Sequence, residues 1–246
     1  MLTPLDMSVP AADGLILKGT LTYPTGRPGT SFPLAVLAHQ YPATRDSFAP
    51  LVRELLAAGI ATLAFDERGH GSSIVGPSGP VVIDTPEGLT LEAFGAAFVS
   101  SVGKVGFARI ENDILRVTSW GASQNFIDPS HLALVGASVG GSGVVLAAPS
   151  IPELRAVATL GAAGAPAFGE DGPARARTAV ERTKAAFYLA SSADDPFEGG
   201  ANVRRWSEGL PNATARLVPG TAHAMAIYFD VCDELLAFLR KALGVA

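Results

Sequence analysis

The sequence predicts an α/β protein with a mostly parallel sheet covered by helices on both faces. Short, fully apolar segments of strand length alternate with amphipathic segments of helical period, which is the pattern of parallel strands joined by crossover helices. Hydrophobic residues make up 48% of the 246 residues and charged residues only 17%, so the chain can bury a large core. We therefore expect one α/β domain over residues 1–246.

The order of the predicted elements follows from period, length and turn residues. Helix ends are indicated by residues such as Gly59, which follows the leucines at 51, 55 and 56. The predicted strands are 15–23, 34–39, 60–65, 132–135, 155–160, 185–190 and 215–218. The predicted helices are about 47–58, 109–121, 139–148, 200–209 and 224–243.

Two segments interrupt this alternation. The segment of about 74–106 runs through Pro77, Gly79, Pro80 and Pro86 before a weakly helical stretch at 89–99, and residues 161–174 are rich in Gly, Ala and Pro. In a parallel sheet, excursions past the carboxyl ends of strands build the rim of a ligand site. We expect these two insertions to do so and to leave little or no cap domain.

Composition excludes several function classes. Eighteen Lys and Arg against 23 Asp and Glu give a net charge of −5, which argues against a nucleic-acid partner. The single cysteine, Cys232, excludes an intramolecular disulfide and a cysteine-based zinc site. The four histidines are far apart in sequence and form no local metal motif. We expect neither a metal nor a cofactor.

The chain shows no targeting or membrane-spanning signal. Its first residues lack a basic stretch followed by an apolar one, so a cytoplasmic location is expected. The longest uncharged apolar run, 132–151, contains four glycines and Pro149, and we interpret it as core strand, turn and helix. The 14 Arg against 4 Lys suggest a GC-rich bacterial genome. Oligomeric state is left open.

The strongest motif is G-x-S-x-G at residues 136–140, with Ser138 at its centre. It stands between a predicted strand and a predicted helix. A serine in such a sharp turn needs small neighbours, its Oγ stands clear of the sheet, and the first N–H groups of the helix face developing negative charge. The alternative is a glycine-rich turn that packs a helix against a strand. We favour a nucleophile.

The motifs together resemble those of the α/β-hydrolase fold. Besides the serine turn, residues 66–73 (DERGHGSS) resemble the family's D-x-R-G-x-G-x-S turn, and Asp13-Gly14, Lys18-Gly19 and Pro24 resemble the opening hairpin of its esterase-like members. The resemblance covers about residues 13–239. The chain most resembles small esterases and dienelactone hydrolases. The dienelactone hydrolases use Cys where this chain has Ser138.

The resemblance implies a triad in the order Ser, acid, His. His223 is the only histidine after Ser138 and follows a predicted strand, so it is the expected base. The acid is expected after the strand 185–190, where Asp194 and Asp195 stand side by side. Asp195 is favoured because Pro196 and Phe197 follow it as in the family, and Asp194 is the alternative.

The oxyanion hole needs two backbone N–H groups. Val139, directly after the serine, is one expected donor, and Tyr41 is the other by position. Family members commonly read His-Gly where this chain reads His39-Gln40, so Gln40 departs from the pattern. His39 and His70 are expected to be structural, and His131 to lie on the surface before a strand.

Two further groups of residues invite a functional role. We expect Asp66 and Arg68 to brace the loop after a strand. Phe94, Phe98 and Phe107 fit an acyl pocket, but ordinary core packing is the favoured interpretation.

The predicted function is a serine hydrolase that cleaves a small carboxylic ester through an acyl-enzyme, in a fairly open site suited to short or medium acyl groups. Its partner is the small-molecule substrate. A lactonase, a thioesterase or an acyltransferase would use the same triad. The alternative from another class is a non-catalytic homologue that binds a small ligand in the same pocket.

Overall fold

The fold is built on one mixed sheet, described by a computed structural model that covers residues 2–25, 29–88 and 90–245. Its strands in the described residues are β1 (Leu2–Pro10), β2 (Ile16–Pro24), β3 (Phe32–Ala38), β4 (Ala61–Phe65), β5 (Val75–Gly76), β6 (Gly79–Pro80), β7 (Ile127–Ala137), β8 (Leu154–Leu160), β9 (Ala186–Ser192) and β10 (Ala213–Val218). The helices are α1 (Ala49–Ala57), α2 (Leu91–Ser101), α3 (Ile110–Ala122), α4 (Ser138–Ala147), α5 (Gly172–Arg182), α6 (Gly199–Ser207) and α7 (Tyr228–Leu243).

The sheet is parallel through its centre and antiparallel at one side. Strands β10, β9, β8, β7, β3 and β4 lie side by side in that order and all run parallel. Strand β2 joins β4 antiparallel, β1 pairs with β2, and β5 and β6 form a short hairpin beside β2. The parallel order sends the carboxyl ends of β3, β7, β8, β9 and β10 to one edge of the sheet.

Helices cover both faces, as the sequence predicts. On one face, α1 and α7 pack on a core that includes Leu37, Val135 and Leu235. On the other face, α3, α4, α5 and α6 pack on a core that includes Val36 and Leu134. Successive residues along β3, and likewise along β7, therefore point to opposite faces of the sheet and enter different cores. This is the arrangement of a strand that is buried on both faces.

The first strand is one of the elements that the sequence pattern does not predict, along with the short strands β5 and β6 and helix α5. Strand β1 contains Pro4 and Pro10, and only Met7 and Val9 of its described side chains are buried. Proline cannot donate to a sheet ladder, so it is tolerated mainly at a sheet edge. Because β1 lies at the sheet edge and buries few side chains, apolar and polar residues alternate only weakly along it. This explains why β1 is absent from the predicted strands.

Several predicted boundaries shift. Strand β7 begins at Ile127 instead of residue 132, because Ile127 pairs with Phe32 ahead of the polar stretch. The prediction for His131 is therefore wrong, since the residue lies inside β7, half-buried, with Nδ1 2.8 Å from Asp128 Oδ2. The predicted helical start at Leu89 lies outside the described residues, and so do residues 26–28 after the predicted strand 15–23.

Residues 132–148 of the uncharged run 132–151 are buried, as predicted for core, and they include every residue of α4. One helical stretch of the described chain, Leu91–Ala122, is apolar and long enough to cross a membrane, with a mean hydropathy of 1.2 and 17% of that window buried. The chain bends within it at Gly106, which has φ +78°, and α3 then packs its apolar side on the sheet. Length and composition of a single stretch are weak evidence for a membrane span.

A buried arginine connects the loop after β4 to three other parts of the chain. The Arg68 side chain is 1% exposed and donates to both carboxylate oxygens of Asp113, at 2.6 and 3.0 Å. It also donates to Asp13 Oδ2 at 3.0 Å and to the Val105 carbonyl at 3.1 Å. Asp66 binds Arg45 instead, at 2.8 Å. Asp66 and Arg68 therefore brace this loop through separate partners.

Replacing Arg68 tests how much this network stabilises the fold. Arg68→Met leaves the Asp113 carboxylate buried without its partner, which should lower the free energy of unfolding by about 3–5 kcal/mol. Urea unfolding measures the change. The matched control is Arg53→Met, whose side chain is 76% exposed beside Glu54, and which should change stability by about 0.5 kcal/mol or less. Equal effects of the two substitutions would contradict the assignment.

Candidate active site

Ser138 occupies the sharp turn between β7 and α4. It is the first residue of α4, it is 9% exposed, and its φ is +50°, a backbone conformation that residues with a side chain rarely adopt. Of the described residues, only Ser138, Glu198 and Ala224 combine a side chain with a positive φ. Such conformations concentrate at functional sites.

The glycine at position 140 allows α4 to approach β3 closely. A Cβ there would overlap the carbonyl oxygen of Ala38 and lie 2.5 Å from that of His39. The second glycine of the G-x-S-x-G motif therefore brings the N-terminus of α4 against the carboxyl end of β3. The loop that carries Tyr41 starts at that end.

His223 joins the serine to a carboxylate. Its Nε2 lies 2.8 Å from Ser138 Oγ, and its Nδ1 lies 2.8 Å from Asp195 Oδ2 and 3.0 Å from Oδ1. The Asp195 side chain is fully buried and the His223 side chain is 16% exposed. An ionised carboxylate only accepts hydrogen bonds, so Nδ1 carries the proton and Nε2 is free to accept one from the serine hydroxyl.

Asp195 is held in place by other donors as well. Ser191 Oγ donates to Oδ2 at 3.0 Å, and the Phe197 amide donates to Oδ1 at 2.9 Å. The neighbouring Asp194 is exposed, and its own amide donates to the Gly220 carbonyl. Of the two candidate acids, it is thus Asp195 that lies against His223.

The two expected oxyanion donors flank the serine. The Val139 amide belongs to the first turn of α4, whose N–H groups have no partner within the helix. Tyr41 is buried and lines the same cavity as Ser138. Among the described residues, neither N–H donates to a protein acceptor. Gln40 does not have a positive φ, so this loop needs no glycine at that position.

His39 orients the peptide group that carries the Tyr41 N–H. The Glu67 amide donates to His39 Nε2 at 3.0 Å, so Nδ1 carries the ring proton and donates to the Gln40 carbonyl at 2.9 Å. The Gln40 carbonyl and the Tyr41 N–H belong to one trans peptide group and point in opposite directions. Holding the carbonyl toward His39 therefore turns the N–H away from it.

The buried groups beside this loop are held uncharged. Burial, followed by the neighbouring His70 ring, lowers the pKa of His39 to about 3. Burial likewise lowers the pKa of His70 to about 4. Burial, reinforced by the Asp113 carboxylate, raises the pKa of Glu67 well above its usual range. The charged form of each group is costly where water is excluded, so the expectation that both histidines are structural fits these surroundings.

Two cavities adjoin the candidate triad. One, of about 270 Å³, is lined by Ser138, Phe94 and Phe98, and the other, of about 610 Å³, is lined by His223, Gln40 and Leu91. Phe94 and Phe98 line the smaller cavity and also pack against the core, so the expectation of ordinary core packing describes only part of their surroundings, whereas Phe107 is fully buried. The sequence analysis also missed Phe197, which lines both cavities.

No arrangement for a metal ion is found in the part of the chain that the structure describes. It contains no group of three or more His, Cys, Asp or Glu side chains placed to share an ion.

Solved structures share this architecture. No protein-family model and no curated protein matches the sequence. A dienelactone hydrolase from Anabaena variabilis superposes with a TM-score of 0.67 at 19% identity, covering 98% of this chain and 99% of that one. An acetyl xylan esterase from Paenibacillus sp. R4 gives 0.71 at 18% identity, covering 98% and 84%. Est1E from Butyrivibrio proteoclasticus gives 0.66 at 16% identity, covering 97% and 99%. The chain has the α/β-hydrolase fold, without a large cap domain.

The neutral state of His39 can be tested by stability against pH. An unfolded histidine takes up a proton below about pH 6.5, whereas folded His39 does not until about pH 3. The wild type therefore loses stability from this residue as the pH falls below 6.5, and His39→Gln does not.

We expect His39→Gln to be less stable than the wild type at pH 7.5, because it loses two buried hydrogen bonds. The difference in free energy of unfolding between the two proteins should narrow by up to about 1.4 kcal/mol per pH unit between pH 6.5 and 5. Urea titrations at several pH values measure it. Glu67 and His70 are present in both proteins, so their own titration cancels in the difference. Parallel stability curves would refute a neutral, buried His39.

Proposed function

We propose that this protein is a serine hydrolase that cleaves a small carboxylic ester through a covalent acyl-enzyme. Ser138 is the proposed nucleophile, His223 the general base and acid, and Asp195 the group that orients His223. Structural neighbours whose names describe esterases support a hydrolase acting on esters. No cofactor is required by this chemistry.

One observation carries the proposal: the continuous hydrogen-bonded line from Ser138 Oγ through His223 to Asp195, with both links at 2.8 Å. A serine hydroxyl is unreactive near neutral pH unless a positioned base removes its proton, and that base needs a third group to fix its tautomer. A protein that only bound a ligand would need none of these links.

The reaction follows from the direction of these hydrogen bonds. Ser138 Oγ attacks the acyl carbon while its proton passes to His223 Nε2, and Asp195 stabilises the resulting imidazolium. The N–H groups of Tyr41 and Val139 receive the negative charge on the acyl oxygen. His223 Nε2 then gives its proton to the leaving alcohol. A water molecule enters by the same route and releases the acid, which restores Ser138.

A mechanism-based probe tests the nucleophile without knowledge of the substrate. A fluorophosphonate reacts with a serine that has both an activating base and oxyanion donors. We expect intact-mass spectrometry to show one adduct on the wild type and none on Ser138→Ala. Ser142→Ala, which alters the next serine of the same helix, is the matched control and should be labelled like the wild type. An unlabelled wild type would overturn the proposal.

The two neighbouring aspartates separate the proposed acid from its alternative. Asp195→Asn keeps the shape of the side chain but leaves His223 Nδ1 without an ionised acceptor, which should reduce kcat by about 10²–10⁴-fold. Asp194→Asn, at an exposed side chain, should leave kcat within about threefold of the wild type. Hydrolysis of 4-nitrophenyl butyrate measures both. The assignment fails if Asp194→Asn is the more damaging change.

A further inference from the structure

The two cavities beside Ser138 differ in which catalytic group they contain. The cavity of about 270 Å³ contains Ser138 but not His223, and the cavity of about 610 Å³ contains His223 but not Ser138. Tyr41, Phe94 and Phe197 line both. The rings of Phe94 and Phe197 are 5.1 Å apart, and that of Phe197 is 4.5 Å from the His223 ring. Phe94 and Phe197 thus form a partition between the cavities.

The chemistry of ester cleavage assigns each cavity a part of the substrate. The oxygen of the leaving alcohol must come within hydrogen-bond distance of His223 Nε2, because that nitrogen protonates it. The alcohol therefore extends into the cavity that His223 lines. The acyl carbon becomes bonded to Ser138 Oγ, so its chain extends to the other side of the partition.

We propose that the substrate is an ester of a short, uncharged acyl group with a larger alcohol. This inference rests on the proposed function and adds the class of substrate. Pockets for drug-sized ligands measure about 300–1,000 Å³. At about 270 Å³ the cavity on the serine side falls below that range, and at about 610 Å³ the cavity on the histidine side lies well inside it.

Phe98 forms one wall of the acyl cavity. A Cβ built on Gly164 would lie 3.0 Å from the tip of the Phe98 ring, so ring and backbone are already in contact. The ring is further packed against Tyr41 and Phe107, with centroids 5.4 and 5.5 Å away. Ala163 and Ala167 also line the cavity. A long acyl chain would have to displace this ring.

The charge of the lining limits the acyl group in a second way. Glu198, exposed and with φ +68°, is the one charged residue among the described residues that line the acyl cavity. The described lining of the alcohol cavity contains no Lys, Arg, Asp or Glu. A carboxylate on the acyl group would find no cation to pair with and would meet Glu198. The cavity therefore disfavours anionic acyl groups.

The acyl limit is tested with 4-nitrophenyl esters, in which the alcohol is constant. We expect kcat/KM for the dodecanoate to be at least about tenfold below that for the butyrate. Phe98→Ala should raise the dodecanoate-to-butyrate ratio at least about tenfold, because removing the ring enlarges the acyl cavity. The control is Val99→Ala, at a 71% exposed side chain of the same helix, which should leave the ratio unchanged. An unchanged ratio in Phe98→Ala overturns the acyl assignment.

A second variant gives the opposite change and does not depend on removing a large ring. Ala167→Leu fills part of the acyl cavity, so it should lower kcat/KM for the butyrate several-fold relative to the acetate. It should leave the ratio of kcat/KM between methyl butyrate and 2-phenylethyl butyrate unchanged, because these esters differ only in the alcohol. If Ala167→Leu changes the preference for the alcohol and not for the acyl chain, the two cavities are assigned the wrong way round.

A comparison of two 4-nitrophenyl esters tests the preference for an uncharged acyl group. The hemisuccinate of 4-nitrophenol is close to the butyrate in size but carries a carboxylate, and we expect it to react more slowly. Glu198→Gln should raise the hemisuccinate-to-butyrate ratio. Equal rates in the wild type, or no response to Glu198→Gln, would overturn the preference for an uncharged acyl group.

Failure of this inference is distinct from failure of the proposed function. Labelling by the fluorophosphonate that depends on Ser138, combined with hydrolysis that ignores acyl length and charge, would leave the serine hydrolase intact and remove the substrate class. An unlabelled protein that cleaves none of these esters would remove both.

Discussion

The candidate site depends on the close approach of α4 to the carboxyl end of β3. Position 140 faces the carbonyls of Ala38 and His39 at a distance that leaves no room for a side chain. This approach brings the unpaired N–H groups at the start of α4 next to the loop that carries Tyr41. It also holds Ser138 in the strained turn, because the backbone between β7 and α4 has no space to relax. The serine and both expected oxyanion donors are thus positioned by one packing contact.

The parallel order of the strands then brings the other two side chains to the same edge. Asp195 follows β9 and His223 follows β10, two and three strands away from β7, which at about 4.8 Å per strand is a span of roughly 10–15 Å. The loops must therefore reach back across the end of β8. They do so over Gly161, where an added Cβ would lie 2.6 Å from the Ala224 amide. A larger residue after β8 would separate His223 from Ser138.

The sequence alone predicts the layers and the serine turn, because these depend on local patterns: apolar runs of strand length and glycines around a serine. The order of the triad comes from the resemblance to the α/β-hydrolase fold. The sequence does not distinguish side chains that pack in the core from side chains that line a cavity. In α2, only Ser101 is buried, while Phe94 and Phe98 line the smaller cavity, Leu91 lies at the exposed rim of the larger one and Val99 faces solvent. An apolar helix of this kind has the same composition whichever surface its side chains line. Adjacent Asp194 and Asp195 were distinguished in sequence only by resemblance, since a turn directs neighbouring side chains to different sides.

The departure at Gln40 shows how a site can keep its geometry when one residue of a motif changes. Glycine at that position would matter if the loop needed a positive φ there, and Gln40 has none. The orientation of the Tyr41 N–H is fixed from the other end of the same peptide group, where the Gln40 carbonyl accepts from His39 Nδ1 and from the Ala43 amide. The Glu67 amide donates to His39 Nε2, which selects the neutral tautomer that carries its proton on Nδ1. Burial keeps the ring uncharged, so Nε2 stays free to accept that amide and the ring stays hydrogen-bonded at both nitrogens.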